Sequence, residues 1–327
     1  MILILSTREM EETTIDVMEW LTKLGGSYVR LNGEEILEGA FSLHISTGDE
    51  GGTLVVDGQT LAIDEIGAVW YRRSGKLAVP ELPEIEDDNL RTTVRRHLRG
   101  EMNAARGSLF HLLHKASWMS KPHTSVPHKM ELLLKAKQQG LTVPRTLISN
   151  DRDSVLAFRE EVGEIIVKCL GDVELFMRDD LAYGPYTEIL TAEHIRDLPL
   201  QCFPLLVQEC VNKAWELRVF YLDGSCYSMA IFSQGDPQTQ VDFRRYNFKK
   251  PSRMVPFQLS STMENKIRAL MNCLDLDTGS LDLIRSTNGE TYFLEINPVG
   301  QFGMVSQPCN YHLEKRVAQY LMHKDAS

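Results

Sequence analysis

Three oxygen-bearing side chains stand close together late in the chain, in "SLDLIRSTNGETYFLEINPVGQF", residues 280–302. At its centre, Asn288-Gly289 lies between two apolar, β-prone runs, and Asn-Gly is a strong hairpin signal because both residues tolerate positive φ. A turn there pairs Thr287 with Glu290 and places Asp282 directly opposite Glu295. Asn297, two residues on, shares the face of Glu295. Facing carboxylates repel and ordinarily weaken a sheet. A divalent ion converts that repulsion into shared attraction. Mg²⁺ takes hard oxygen ligands, commonly one or two carboxylates together with substrate phosphates, and Asn297 adds a neutral oxygen. The ordinary alternative is an exposed hairpin with its carboxylates in water. Three oxygen donors on one face of a ladder rich in Leu281, Leu283, Ile284, Phe293 and Ile296 favour the metal.

A metal of this kind implies phosphate, and phosphate implies cations. Lys168 ends the apolar run "EIIVKCL" and extends a mobile ammonium from a rigid element; a snorkelling edge lysine is the plain alternative. Lys129 opens a helical stretch after two prolines, where a solvated helix-end charge is the simpler reading. In "QECVNKAWELRVF" (208–220), Glu209 follows a buried strand that kinks into "VNKA", a stretch able to present bare backbone N–H and C=O groups. Glu216 and Arg218 alternate with Leu217 and Val219, so both charges share one strand face; a weak same-face salt bridge is the alternative. Asp242 is a candidate base. No Ser-His-Asp arrangement is evident.

The elements that must position these groups fall into three regions. Residues 1–118 alternate strand and helix: "MILILS" as a buried first strand, a helix over 9–24 stopped by Gly25-Gly26, strands at "SYVRL" and "GAVWYRR", and a long helix over about 86–114. That helix carries Leu90, Val94, Leu98, Met102, Ala105, Leu109, Leu112 and Leu113 on an apolar stripe. The alternation predicts a parallel sheet, without the G-x-G-x-x-G of a dinucleotide site. "WMSKPHTSVPHK" (118–129) reads as a linker. A central region, 119–200, holds a helix over 129–139, the strand "EIIVKCL", and "FMRDD" with "YTEIL" as a second hairpin. The last region, 201–327, holds the strands "PLLVQECV", "WELRVFYLDG" and "SCYSMAIFSQ", a helix over 260–274, the carboxylate hairpin and a terminal helix.

Composition narrows the class. At 327 residues, 43% hydrophobic and 24% charged, the chain is long enough for two or three domains of an ordinary globular protein. A net charge of −10 argues against nucleic-acid binding. There is no apolar run to cross a bilayer and no signal peptide. Six scattered cysteines without Cys-x-x-Cys fit a reducing cytoplasm, with neither a zinc site nor a disulfide framework.

The order strand-Lys168, "QECV", "WELRVF", Asp282, "LEINPVGQF" resembles the ATP-grasp ligases. Within them "WYRR" (70–73), "VPRTLISND" (143–151), "LEINPVGQF" and "MVSQPCNYHLEKRVAQYL" (304–321) resemble the maturases of graspetides, peptides crosslinked through ω-ester or ω-amide bonds, in the branch called grasp-with-spasm. The resemblance implies a fold of α/β and α+β parts: an N-terminal α/β domain (1–118), a central lid domain (119–200) and a C-terminal ATP-grasp domain (201–327). It implies ATP and Mg²⁺ as cofactors, with Lys129 and Lys168 on the phosphates, Glu209 and Val211 at the hinge that reads adenine, and Glu216 near the ribose. By the same resemblance Arg218 and Arg244 stand near the transferred phosphoryl group, and Asp282, Glu295 and Asn297 bind Mg²⁺. The implied partner is a ribosomal precursor peptide with leader and core, and a homodimer is admitted. One departure is plain: "KCLGDVELF" carries a single glycine where many ATP-grasp lids have a glycine-rich loop.

The implied activity is formation of an acyl phosphate on an Asp or Glu side chain of the peptide, then attack by its own Ser, Thr or Lys. Two rivals stand beside it. One is an ATP-grasp ligase adding a free amino acid to a peptide or glutamate, which would share the hairpin, lysines and hinge. The other is a non-catalytic nucleotide- or peptide-binding protein, against which the intact ligand set speaks.

Overall fold

The computed structural model describes residues 1–8, 11–37, 41–46, 52–56, 58–72, 79–124, 128–171, 176–178, 181–184, 186–239, 242–243, 247 and 249–327. The chain divides into two units: Met1–Ser125 with Gln301–Ser306 and His312–Ser327, and Val126–Gly300 with Gln307–Tyr311.

In the first unit, β1 (Ile2–Ser6) is buried at every position, the run expected of a strand inside a parallel sheet covered on both faces. α1 (Glu12–Leu24) buries Val17 and Leu21 and stops at Gly25, whose φ of 78° is left-handed. Then come β2 (Tyr28–Asn32), the antiparallel meander β3 (Phe41–Ile45), β4 (Gly52–Val56) and β5 (Gln59–Ala62), β6 (Ala68–Tyr71), α2 (Asp88–Leu112) and β7 (Ser117–Met119). The parallel sheet runs β2-β1-β6-β7. β7 takes Trp118 and Met119 out of the expected linker. The chain's last helix, Leu313–Asp325, packs on α1, with the Lys315 ammonium 5.2 Å from the Trp20 ring. Arg72 of "WYRR" is buried; its Nε donates to Glu11 Oε2 at 3.3 Å and its guanidinium lies 5.4 Å from the Trp70 ring and 5.9 Å from Phe302.

The stripe expected along α2 is only partly used. Leu109, and Leu113 just beyond the helix, join the core of this unit. Val94, Leu98 and Met102 are half-buried, while Ala105 is exposed and Leu90 is 54% exposed.

The second unit holds two sheets. α3 (Lys129–Gln138) is followed by β8 (Thr146–Asp151), α4 (Arg152–Val162), β9 (Ile165–Lys168), the small pair β10 (Phe176–Arg178) and β11 (Leu181–Tyr183), β12 (Glu188–Leu190), α5 (Ala192–Arg196) and β13 (Gln201–Glu209). Four of these strands form an antiparallel sheet ordered β12-β9-β13-β8. Val155, Ile165, Ile195 and Val207 pack between its one face and the helices α4 and α5. The second hairpin differs from expectation. "FMR" pairs with "LAY", whereas Glu188–Leu190 of "YTEIL" pairs with β9 and extends the four-stranded sheet. A strand carrying Ile189 opposite Ile166 gains more by closing an apolar edge than by a local turn.

The second sheet is built from β14 (Lys213–Leu222), β15 (Ser225–Phe232), β16 (Arg253–Phe257), then, after α6 (Ser261–Cys273), β17 (Thr278–Ser286) and β18 (Thr291–Asn297), in the order β16-β15-β14-β17-β18. Leu217, Val219, Leu281, Leu283, Phe293 and Ile296 turn one face to α3 and α6, which bring Leu132, Leu133, Ala136, Ile267, Leu270 and Met271. Period-2 alternation therefore frees the opposite face for polar groups. The six cysteines are unpaired, and no helix among the described residues is long and apolar enough to cross a membrane.

Candidate active site

Asp282 pairs with Glu295, as the sequence predicts, and Ser280 pairs with Asn297. The turn that achieves this differs. Gly289 N–H donates to Ser286 O and Ser286 N–H to Glu290 O, at 3.0 and 2.8 Å, so three residues and not two make the connection. Gly289 takes φ of 88°, the left-handed position of a three-residue hairpin loop. The ladder is thereby displaced by one residue, and Leu283 pairs with Phe293. A bulge between Asp282 and Leu283, with Leu294 as the additional residue, restores the register that puts the two carboxylates opposite one another. The expected pair Thr287–Glu290 is absent, and its consequence at Asp282 survives through the bulge.

Arg218 on β14 pairs with Asp282 on β17 from the other side. Arg218, Asp282 and Glu295 thus form one row across three neighbouring strands. Arg218 Nη1 donates to Asp282 Oδ1 in an ion pair whose side chains are 13% and 19% exposed. Glu295 is half-buried. Asn297 is exposed at the strand end, where its Oδ1 accepts from Val299 N–H at 3.2 Å. The turn closes with Gly300 N–H on Asn297 O at 3.1 Å. A Cβ at Gly300 would sit 2.6 Å from the Ser280 side chain, so only glycine lets the chain fold back this tightly beside Asn297.

Glu216 stands two residues before Arg218 on the same face. It is buried, and its Oε1 accepts from Lys213 Nζ at 2.6 Å and Ser233 Oγ at 2.7 Å. Loss of solvent raises its pKa above the ordinary carboxylate value, outweighing the pull of Lys213.

Glu209 ends β13, and its Oε2 accepts from Arg145 N–H at 3.2 Å. Cys210, Val211 and Asn212 then cross to β14. Cys210 N–H donates to Glu164 O and Asn212 O accepts from Thr287 N–H, both at 2.9 Å. The Cys210 thiol is pushed up to about 11, first by burial and then by Glu164. Between those two anchored residues, no described group pairs with the Val211 amide or carbonyl. The hinge therefore carries one free peptide donor and acceptor, the arrangement that can read the edge of a planar heterocycle.

Lys168, the last residue of β9, donates from Nζ to Gln208 Oε1 at 2.9 Å. Lys129, the first residue of α3, donates to Cys169 O at 2.6 Å and Gly171 O at 3.2 Å. The two lysines thus converge on the segment that leaves β9. Arg244 lies outside the described residues, as do Asp172–Leu175 of "KCLGDVELF". Asp242 is buried.

The residues in the carboxylate row suit a hard divalent ion. Asp282 and Glu295 share a face on adjacent strands, and the Asn297 carbonyl oxygen retains a second lone pair beyond its bond to Val299. Among the described residues no cluster of three His, Cys, Asp or Glu forms a metal cage. Two carboxylates and an amide leave room for phosphate and water, the habit of Mg²⁺. Gln208, Thr146, Lys213 and Ser233 are the polar residues that the sequence reading passed over. Gln208 had a signal, an amide inside the buried run "LLVQE".

Residues 1–125 match the family model described as the MvdD pre-ATP grasp domain. No curated protein matches the chain in sequence. Among solved structures, the macrocyclase MdnC bound with precursor peptide MdnA from Microcystis aeruginosa MRC is 27% identical, with a TM-score of 0.81 over 99% of each chain. A Chryseobacterium gregarium RiPP-associated ATP-grasp ligase in complex with ADP and a leader and core peptide is 24% identical, TM-score 0.82, over 98% of this chain and 95% of that one. The ATP-grasp ligase PsnB, complexed with a phosphomimetic variant of its minimal precursor, Mg and ADP, is 19% identical, TM-score 0.74, over 99% and 98%. By its fold this chain is similar to ATP-grasp ligases, and its residues 1–125 match a pre-ATP-grasp domain of the MvdD type.

Proposed function

We propose that this chain is an ATP- and Mg²⁺-dependent peptide maturase that activates an Asp or Glu side chain of a precursor peptide and closes it onto a Ser, Thr or Lys of the same peptide. The observation that carries the reading is the row Arg218–Asp282–Glu295, a cation and two facing carboxylates on the polar face of the sheet. Asp282, Glu295 and Asn297 would hold Mg²⁺, which supplies charge neutralisation on the transferring phosphoryl group. Lys129 and Lys168 would meet the phosphates, the Val211 peptide the adenine, Glu209 the hinge, and Glu216 the ribose.

In the first step a peptide carboxylate attacks the γ-phosphorus, the bond to the β-bridging oxygen breaks, and ADP leaves. Arg218, ion-paired with Asp282, would stabilise the equatorial oxygens, with Arg244 as a second arginine. In the second, a hydroxyl or amine attacks the acyl carbon, its proton is lost to a base, for which Asp242 is the candidate, and phosphate departs. Holding both groups in one peptide makes that step intramolecular. We propose a lid over 119–200, an ATP-binding domain over 201–327 and an N-terminal domain over 1–118, with β13 completing the lid sheet and Leu313–Asp325 grouped with the N-terminal unit. The proposal places the enzyme in the cytoplasm, as a homodimer.

The rival ligase, adding a free amino acid, is separated by mass. The purified enzyme, ATP, Mg²⁺ and the cognate peptide should yield a product lighter by whole waters; a product heavier by an amino-acid residue selects the rival. ATP binding with no change in any cognate peptide selects the binding-protein reading.

A further inference from the structure

We propose that Gln208 and Thr146 are positioning residues for Lys168, an inference that rests on the reading of Lys168 as a phosphate contact. β9, β13 and β8 lie side by side, and the three side chains share the face turned away from α4 and α5. Lys168 Nζ donates to Gln208 Oε1 at 2.9 Å, Gln208 Nε2 donates to Thr146 Oγ1 at 2.9 Å, and the Thr146 hydroxyl donates to Pro144 O at 3.0 Å.

The polarity of this chain of bonds is fixed at both ends. An ammonium only donates and a peptide carbonyl only accepts. With Pro144 O taking the threonine proton, Thr146 Oγ1 must accept from the amide nitrogen, and Gln208 must then present its oxygen to Lys168. Gln208 is 2% exposed, so reversing its amide would bury an unmade bond and turn an NH₂ toward the ammonium. The relay therefore engages one ammonium proton and restrains the head of a long, mobile side chain.

A double-mutant cycle on the dissociation constant for ATP, measured by calorimetry on the full chain, tests this. Thr146→Val removes the hydroxyl without changing shape and leaves Lys168 untouched. Binding should weaken about tenfold, the worth of roughly one hydrogen bond to a charged group, and Thr146→Ser should restore it. In a Lys168→Met background the same Thr146→Val change should do nothing further. Gln208→Glu, which keeps size and replaces the neutral acceptor by a charge that retains the ammonium, should weaken binding and lose its effect in the same background.

Equal penalties in both backgrounds, or none in either, overturn the positioning role while the weaker binding of Lys168→Met leaves the phosphate reading standing. Unchanged binding in Lys168→Met itself overturns both. Thermal midpoints of each variant separate a folding defect from either result.

Discussion

Arg218 and Asp282 are ion-paired in register across the ladder between β14 and β17. The pair draws the arginine to the polar face and ties it to a carboxylate of the proposed metal site. If Arg218 stabilises a transferring phosphoryl group, Arg218→Ala lowers kcat by about 10²–10³-fold while ATP affinity changes little. A surface ion pair with no such role would cost under ~1 kcal/mol of stability and leave the rate alone. Comparing kcat with the ATP dissociation constant decides between them.

Glu295 faces Asp282 with like charge. Glu295→Gln keeps the shape and removes the repulsion, so the metal-free protein should gain up to about 1 kcal/mol. The midpoint rise produced by millimolar Mg²⁺, a mass-action effect of binding to the folded state, should disappear, and turnover with it. A variant that keeps both the Mg²⁺-dependent shift and full turnover removes Glu295 from the metal site.

Glu216 holds its proton to higher pH when folded than the ordinary glutamate value of 4.5, because burial disfavours its charge. Folding therefore takes up a proton in the interval between the two values. The corresponding stability is fully present below about 4.5 and is lost as pH rises through the folded value. Glu216→Gln should flatten the fall in unfolding free energy that the parent shows above pH 4.5. Urea titrations at a series of pH values measure it; parallel curves for parent and variant contradict the burial effect.

The stripe Leu90, Val94, Leu98 and Met102 continues the line of Leu109 away from the core. Paired antiparallel with its twin about residue 96, α2 would set Leu90 on Met102, Val94 on Leu98, and Glu101 on Arg91. Leu98→Glu should then convert the proposed dimer to monomer in sedimentation. A dimer that persists in Leu98→Glu excludes this helix as the interface.

What was legible in the sequence was what alternation and turn residues encode. The buried first strand follows from its unbroken apolar run and the two-faced β14 from period-2 alternation, while the pairing of Asp282 with Glu295 was read from the turn residues. The form of the turn was not legible, because Asn-Gly fits a two-residue loop or a three-residue loop with Gly289 left-handed. The choice was settled by the Ser286 bonds and offset by the bulge at Leu294. Long-range edge closure was equally hidden: nothing local in "YTEIL" says that it seeks β9 rather than its neighbour "FMR". The Lys168–Gln208–Thr146 relay was out of reach because its members are 40 and 62 residues apart in sequence. Glu209, Lys168 and Arg218 stood out because each is a charge at the end or within an apolar strand.

The product is the most direct test of the proposed function. Each closure joins a side-chain carboxyl to a hydroxyl or amine and removes one water, so a co-expressed cognate peptide should lose whole multiples of water mass. Mild alkali should restore that mass where the links are esters and leave amides unchanged, since hydroxide attacks an ester far faster than an amide. The loss should require the peptide's leader segment if recognition is remote from the reacting residues, and adding the leader in trans should recover it. It should cease with Glu295→Gln and fall in rate with Arg218→Ala, which ties the chemistry to the row across β14, β17 and β18. ADP should appear in a one-to-one ratio with water lost, because each carboxyl is activated once. ADP formed well in excess of the water lost would mean that the acyl phosphate meets water before it meets the second side chain. The predicted intramolecular advantage would then be missing.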